Sequence, residues 1–137
     1  MIITRHIIFL GLLLIIGCEK SYSNPIELLI INSSNVWGET EPCGWPKNPL
    51  GGLARKATII NESKFDSVPI LILDAGDLFF AKNNLIKGKD DLAHAKIRCQ
   101  IIIDSYNAMG CDAFSPGSRD FALGLSYLNK LKEISNF

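Results

Sequence analysis

Val68-Pro69-Ile70-Leu71-Ile72-Leu73-Asp74-Ala75-Gly76-Asp77-Leu78-Phe79 reads as a strand running into a tight loop. Its apolar residues from Ile70 to Leu73 do not alternate with polar ones, so the spacing predicts a strand over 68–75 that is buried on both faces, as in a parallel sheet. Upstream, Ile26 to Asn32 (IELLIIN) has the same character, and downstream Asp112 to Ser115 gives a short third strand. Helical periodicity fills the intervals. Residues 52–64 place Leu53, Ala54, Ala57 and Ile60 on one face, with Arg55 and Lys56 elsewhere. Asp90 to Met109 forms a long helix, with Leu92, Ile97, Ile101 and Tyr106 among its apolar positions, stopped by Gly110. Ala122 to Ile134 forms a third, with Leu125, Leu128 and Leu131 on one side. The order β-α-β-α-β-α predicts an α/β fold: a mostly parallel sheet with helices on both faces. Sites in such folds form in the loops after the strands. Here those are 33–50, 76–89 and 116–122, which hold Asn35, Trp37, Cys43, Trp45, Asp77, Ser118, Arg119 and Asp120.

The N-terminus has a different grammar. Met1 to His6 is a short basic region, Ile7 to Ile16 is apolar apart from Gly11, and Gly17-Cys18 follows. The run is too short to span a bilayer as a stable helix and reads as a secretory signal. Ile15-Ile16-Gly17-Cys18 resembles a bacterial lipobox, which implies cleavage before Cys18 and a lipid on its sulfur. An ordinary signal peptide with a chance cysteine, or an uncleaved anchor, is the plainer alternative. On the lipobox reading, 1–17 is the signal and 18–25 a polar tether. The folded domain, a partial one, is then 26–137, and the protein sits in the bacterial cell envelope, periplasmic or extracellular, anchored in the membrane through Cys18.

Composition narrows the classes. Of 137 residues, 47% are hydrophobic, and 14 basic side chains balance 14 acidic ones. That balance excludes the low-hydropathy, high-charge signature of disorder and a nucleic-acid binder working through a bulk positive field. With Cys18 lipidated, Cys43, Cys99 and Cys111 leave an odd number of thiols in an oxidising compartment. Three short strands make a thin sheet, which marks the chain as the front half of a larger domain. A small complete flavodoxin-like domain is the alternative.

Four segments stand in register. They are Gly51-Gly52-Leu53-Ala54-Arg55-Lys56-Ala57-Thr58, Leu71 to Phe79, Tyr106-Asn107-Ala108-Met109-Gly110-Cys111-Asp112-Ala113, and Pro116-Gly117-Ser118-Arg119-Asp120-Phe121-Ala122-Leu123-Gly124. Together they resemble the N-terminal half of the 5′-nucleotidase family, within the calcineurin-like metallophosphoesterases, over about 28–128. The resemblance implies hydrolysis of nucleotides or other phosphoesters by a divalent metal pair (Mn, Zn or Mg). Two cations hold the phosphate and activate a bridging water, and carboxylates and imidazoles hold the cations.

Carried over residue by residue, the family's ligands are mostly replaced. Its first-loop Asp falls on Asn35 and its His on Trp37, which has no lone pair for a metal. Its bridging Asp matches Asp77, for which a turn or cap is the plainer role. Its Asn and His after the third strand fall on Ser118 and Arg119, a fixed cation. His94 matches no ligand position and reads as a surface or packing residue. The metal candidates are therefore Asp77 and Asn35, in a degenerate site that is not a competent phosphatase as given, unless further chain supplies the missing ligands. Arg119 is then a candidate to hold phosphate or nucleotide in place of metal charge, or to pair locally with Asp120.

Glu41-Pro42-Cys43-Gly44-Trp45-Pro46 resembles a branch of secreted nucleotidase-like proteins in which this loop reads Cys-Gly-Cys or Cys-Gly-selenocysteine. Trp45 is either a true substitution or a UGA codon rendered as tryptophan. The second case gives an alternative function, a thiol or selenol redox protein using Cys43 and position 45, with Asp77 and Arg119 nearby.

Overall fold

A computed structural model describes residues 27–44, 47, 50–64, 68–81 and 88–137. The segments read from the sequence as signal (1–17) and tether (18–25), with Cys18 and Trp45, lie outside the described residues. No helix among the described residues is long and apolar enough to cross a membrane.

The elements follow in the order β1 (Leu29–Ser33), α1 (Leu53–Ser63), β2 (Ile70–Asp74), α2 (Lys89–Met109), β3 (Ala113–Phe114), a 3-10 turn (Ser118–Phe121) and α3 (Leu125–Ile134). The three strands form one parallel sheet in the order β1-β2-β3, with Ser33 beside Asp74 and Asp74 beside Phe114. The α/β class and parallel sheet are as the sequence predicts. Gly110 closes α2 in the left-handed conformation, φ 77° and ψ 49°, where a glycine has no Cβ to clash.

The helices are not on both faces. Lys56 of α1 bonds Ser33, Tyr106 of α2 bonds Asp74, and Phe137, just past α3, packs on Tyr106 and Phe114. Ser33, Asp74 and Phe114 are register neighbours and share one face. All three described helices therefore cover that face. The cause is topological: crossovers between parallel strands are right-handed, and a strand order that never reverses sends each crossover over the same side. Periodicity identified the elements but not the strand order. On the opposite face Leu28 is 52% and Ile30 56% exposed.

The core lies between sheet and helices. Ile60, Ile72, Leu78, Phe79, Ala95, Cys99, Ile102, Ile103, Tyr106, Met109, Leu128 and Leu131 are buried there. Ile97 and Ile101 point to solvent instead; the inward stripe of α2 runs through Ala95, Cys99, Ile102 and Tyr106. Lys56 also departs from expectation. It projects from the same face of α1 as Leu53 and Ile60 and ends inside the protein.

Its ammonium meets a small polar core. Lys56 Nζ donates to Ser33 Oγ at 2.5 Å and to Tyr106 OH at 2.8 Å, lies 3.9 Å from the Tyr106 ring centroid, and is 3.7 Å from Asp74 Oδ2. Asp74 Oδ2 also accepts from Ser33 Oγ at 2.6 Å and Tyr106 OH at 2.7 Å, while Oδ1 accepts the Gly76 N–H at 3.0 Å. The Asp74 side chain is 0% and the Lys56 side chain 17% exposed. Burial lowers the Lys56 pKa, opposed by the charge of Asp74, and burial raises that of Tyr106, reinforced by Asp74. One cation, one carboxylate and two hydroxyls thus tie β1, α1, β2 and α2 together, with every buried partner satisfied.

Candidate functional site

The ends of β1, β2 and β3 converge, and the backbone pairing of the sheet continues into their loops. Asn35 N–H donates to the Gly76 carbonyl, Trp37 N–H to Asp77 and Gly38 N–H to Leu78, each at 2.9 Å. These bonds hold three non-glycine residues at positive φ: Asn35 (58°), Trp37 (56°) and Asp77 (54°). For a bulky residue such as Trp37 this conformation is unusual, with a cost on the order of 1–3 kcal/mol that the surrounding bonds must offset. The third loop is pressed against the second. A Cβ on Gly76 would collide with the backbone of Ser115 and Gly117, and one on Gly117 with the Asp77 carboxylate. Glycine at both positions lets the loops touch.

Asp120 locks that contact. Its Oδ1 accepts the N–H groups of Leu78 and Phe79 at 2.8 and 2.9 Å, and its Oδ2 accepts that of Gly117 at 2.8 Å. It is buried, and burial raises its pKa against the opposing pull of these donors. Asp120 is thus an anchor for the second and third loops and not the local partner of Arg119.

Arg119 turns the other way. Its N–H donates to Asp77 Oδ1 at 3.0 Å, its Nε lies 3.6 Å from Asp77 Oδ2, and its guanidinium stands 4.6 Å from the Trp37 ring centroid. The sequence matched these three positions to ligands of one site, and the fold brings them together. Their chemistry differs from a metal centre. Both Asp77 oxygens face Arg119, whose cation repels another cation, and Trp37 offers a ring face. The donor set does not fit the two-cation centre that the resemblance implies. Among the described residues no three His, Cys, Asp or Glu side chains are grouped so as to hold a metal ion. Arg119 is 32% and Asp77 20% exposed in their side chains. The Nη groups of Arg119 make no hydrogen bond among the described residues, which leaves them donors to spare.

Trp37 divides two grooves. One, of about 370 Å³, is lined by Asn35, Trp37, Glu41, Cys43, Leu50 and Gly52 among others. Cys43 is exposed there, its backbone paired with Leu50 in an isolated bridge. It shares the groove with Asn35 and Trp37, whereas Asp77 and Arg119 lie outside that lining. The other groove, of about 460 Å³, brings Trp37, Glu39 and Glu41 opposite Asp91, His94 and Arg98 of α2. The placement of His94 and Arg98 beside Trp37 was not visible in the sequence, because only the packing of α2 against the first loop creates it. Cys99 and Cys111 are buried free thiols. Burial raises both, Cys99 to about 12.

No family model matches this chain, and no curated protein matches it. The likeness to 5′-nucleotidases rests on the sequence motifs alone.

Proposed function

We propose that this chain is a lipid-anchored protein of the cell envelope built on the N-terminal half of a calcineurin-like, 5′-nucleotidase-type domain. In it a phosphate-type anion is bound by Arg119 without metal and is not hydrolysed. One observation carries the reading. The guanidinium of Arg119 lies against Asp77, the residue matched to the metal-bridging position, and is sandwiched toward Trp37. A fixed guanidinium supplies the positive charge that a phosphate needs, and its free Nη donors suit two phosphate oxygens at once. It supplies no activated water, because it cannot lower the pKa of a bound water as a divalent ion does. Asp77 in turn orients Arg119 through its side chain and backbone. The anchor follows from Cys18 and the apolar run before it.

The test is turnover of p-nitrophenyl phosphate and of AMP by the full chain with Mn²⁺, Zn²⁺ or Mg²⁺ added singly. The proposal expects no metal-dependent turnover above background. Turnover that chelation abolishes, that readded metal restores and that Asp77→Asn removes would overturn it.

A further inference from the structure

We infer that Trp37 is a positioning residue of the anion site: its ring holds the Arg119 guanidinium off the Asp77 carboxylate, so that the Nη groups stay available to an anion. The inference rests on the anion reading and names what keeps Arg119 competent for it. The three residues come from three different loops and close a ring of contacts. Trp37 N–H donates to the Asp77 carbonyl at 2.9 Å. Asp77 Oδ1 accepts the Arg119 backbone N–H at 3.0 Å. The Arg119 guanidinium returns to Trp37, 4.6 Å from the ring centroid.

The distances indicate what the ring does. A guanidinium beside a carboxylate is drawn into a two-point pair with bonds of about 2.7–2.9 Å. Here the side chain stops short of that pair, with Nε 3.6 Å from Asp77 Oδ2. The negative face of the indole competes with the carboxylate for the cation. A guanidinium closed onto Asp77 would use up the donors that a phosphate needs. Held in the stack, it keeps them.

The chain keeps Trp37 in this place against its backbone preference. Trp37 and Asp77 both have left-handed φ, 56° and 54°. Bulky side chains avoid that region, and where the surroundings enforce it the outliers cluster at ligand sites. The enforcing bonds flank Trp37: Asn35 N–H to the Gly76 carbonyl and Gly38 N–H to the Leu78 carbonyl, each at 2.9 Å. Val36 packs against the core, and the left-handed turn after it carries the next ring to Arg119.

The test uses the full chain in excess EDTA. Trp37→Leu keeps an apolar side chain at the same backbone angle and removes the aromatic face, while Trp37→Phe keeps a face. Trp37→Gly removes the side chain at a φ that glycine adopts freely, which guards against a variant that fails to fold. Calorimetric titration of orthophosphate is expected to show affinity about five-fold weaker in Trp37→Leu and Trp37→Gly, and within about two-fold of the parent in Trp37→Phe. A tryptophan that only fills space would let leucine and phenylalanine serve alike. Phenylglyoxal, an arginine-selective reagent, gives a second readout that needs no phosphate. Peptide mass mapping is expected to find Arg119 modified roughly three-fold more slowly in Trp37→Leu than in the parent, because the released guanidinium closes onto Asp77. A ring that merely shields Arg119 predicts faster modification. Leucine matching phenylalanine in phosphate affinity, or Arg119 modified as fast or faster once the ring is gone, would overturn the inference. Absence of phosphate binding by the parent would overturn the anion reading instead, and the modification rates would still decide whether Trp37 holds Arg119 off Asp77.

Discussion

Replacing Lys56 by methionine keeps the length of the side chain and removes its charge. The Asp74 carboxylate then stays fully buried without a cation. Removing one partner of a buried pair costs about 3–5 kcal/mol, because the other charge is left uncompensated. Two features of this site place the loss near the lower end. Asp74 retains donors from Ser33, Tyr106 and Gly76. The ammonium sits 3.7 Å from the carboxylate, bonded to the two hydroxyls and not directly to Asp74. A loss of about 3 kcal/mol follows, equivalent to a fall in Tm of roughly 10 °C for a domain of this size. Tyr106→Phe removes one hydrogen-bond donor to a charged group and should cost about 2 kcal/mol. The assay is urea unfolding followed by far-UV circular dichroism, with unchanged m confirming that the folded state is intact. If Lys56→Met unfolds within 0.5 kcal/mol of the parent, the polar core does not hold β1, α1, β2 and α2 together as described.

Asp120→Ala should destabilise by about 3 kcal/mol or more, since it strands three inward N–H groups, and Asp120→Asn by less; thermal melts compare them. Alkali should also destabilise the fold. The Cys99 thiol ionises near 9.0 when unfolded but near 12 when folded, so its share of stability is complete below pH 9 and lost as pH rises toward 12. That share is at most about 4 kcal/mol. Cys99→Ala should flatten this limb of a stability-against-pH curve, while the lowered Lys56 contributes with the opposite sign below 10.5. Native alkylation should label Cys43, with Cys99 and Cys111 reacting only after unfolding, as peptide mass mapping would show.

Much of the architecture was legible because its signals are local. The run Ile70 to Leu73 admits little but a strand, and Gly110 marks a helix end through its own backbone preference; burial on both faces, expected from the unbroken apolar runs, does not hold among the described residues, where Leu28 and Ile30 are exposed and Leu71 and Leu73 half-buried. What escaped depends on partners distant in sequence. The rarity of buried lysine places Lys56 on the outer side of α1, although its spacing from Leu53 and Ile60 points inward. Its reason to be inside is Asp74, 18 positions away, and Tyr106, 50 away. Adjacency in sequence suggests Asp120 as the partner of Arg119, yet Asp120 turns inward to three backbone donors and Arg119 pairs 42 residues upstream with Asp77. The four-residue turn at Ser118–Phe121 is too short to show periodicity, so the sequence predicts a third helix from Ala122 where the structure begins it at Leu125. The ligand positions themselves came from motif register, and the fold does bring Trp37, Asp77 and Arg119 into contact.

The exchange of metal charge for a guanidinium is tested most directly by calorimetric titration of orthophosphate into the full chain in excess EDTA, beside Arg119→Ala. The account predicts saturable binding of one phosphate that EDTA does not affect and that Arg119→Ala weakens at least ten-fold. Binding that appears only when Mn²⁺ or Zn²⁺ is restored, or that Arg119→Ala leaves unchanged, would contradict it.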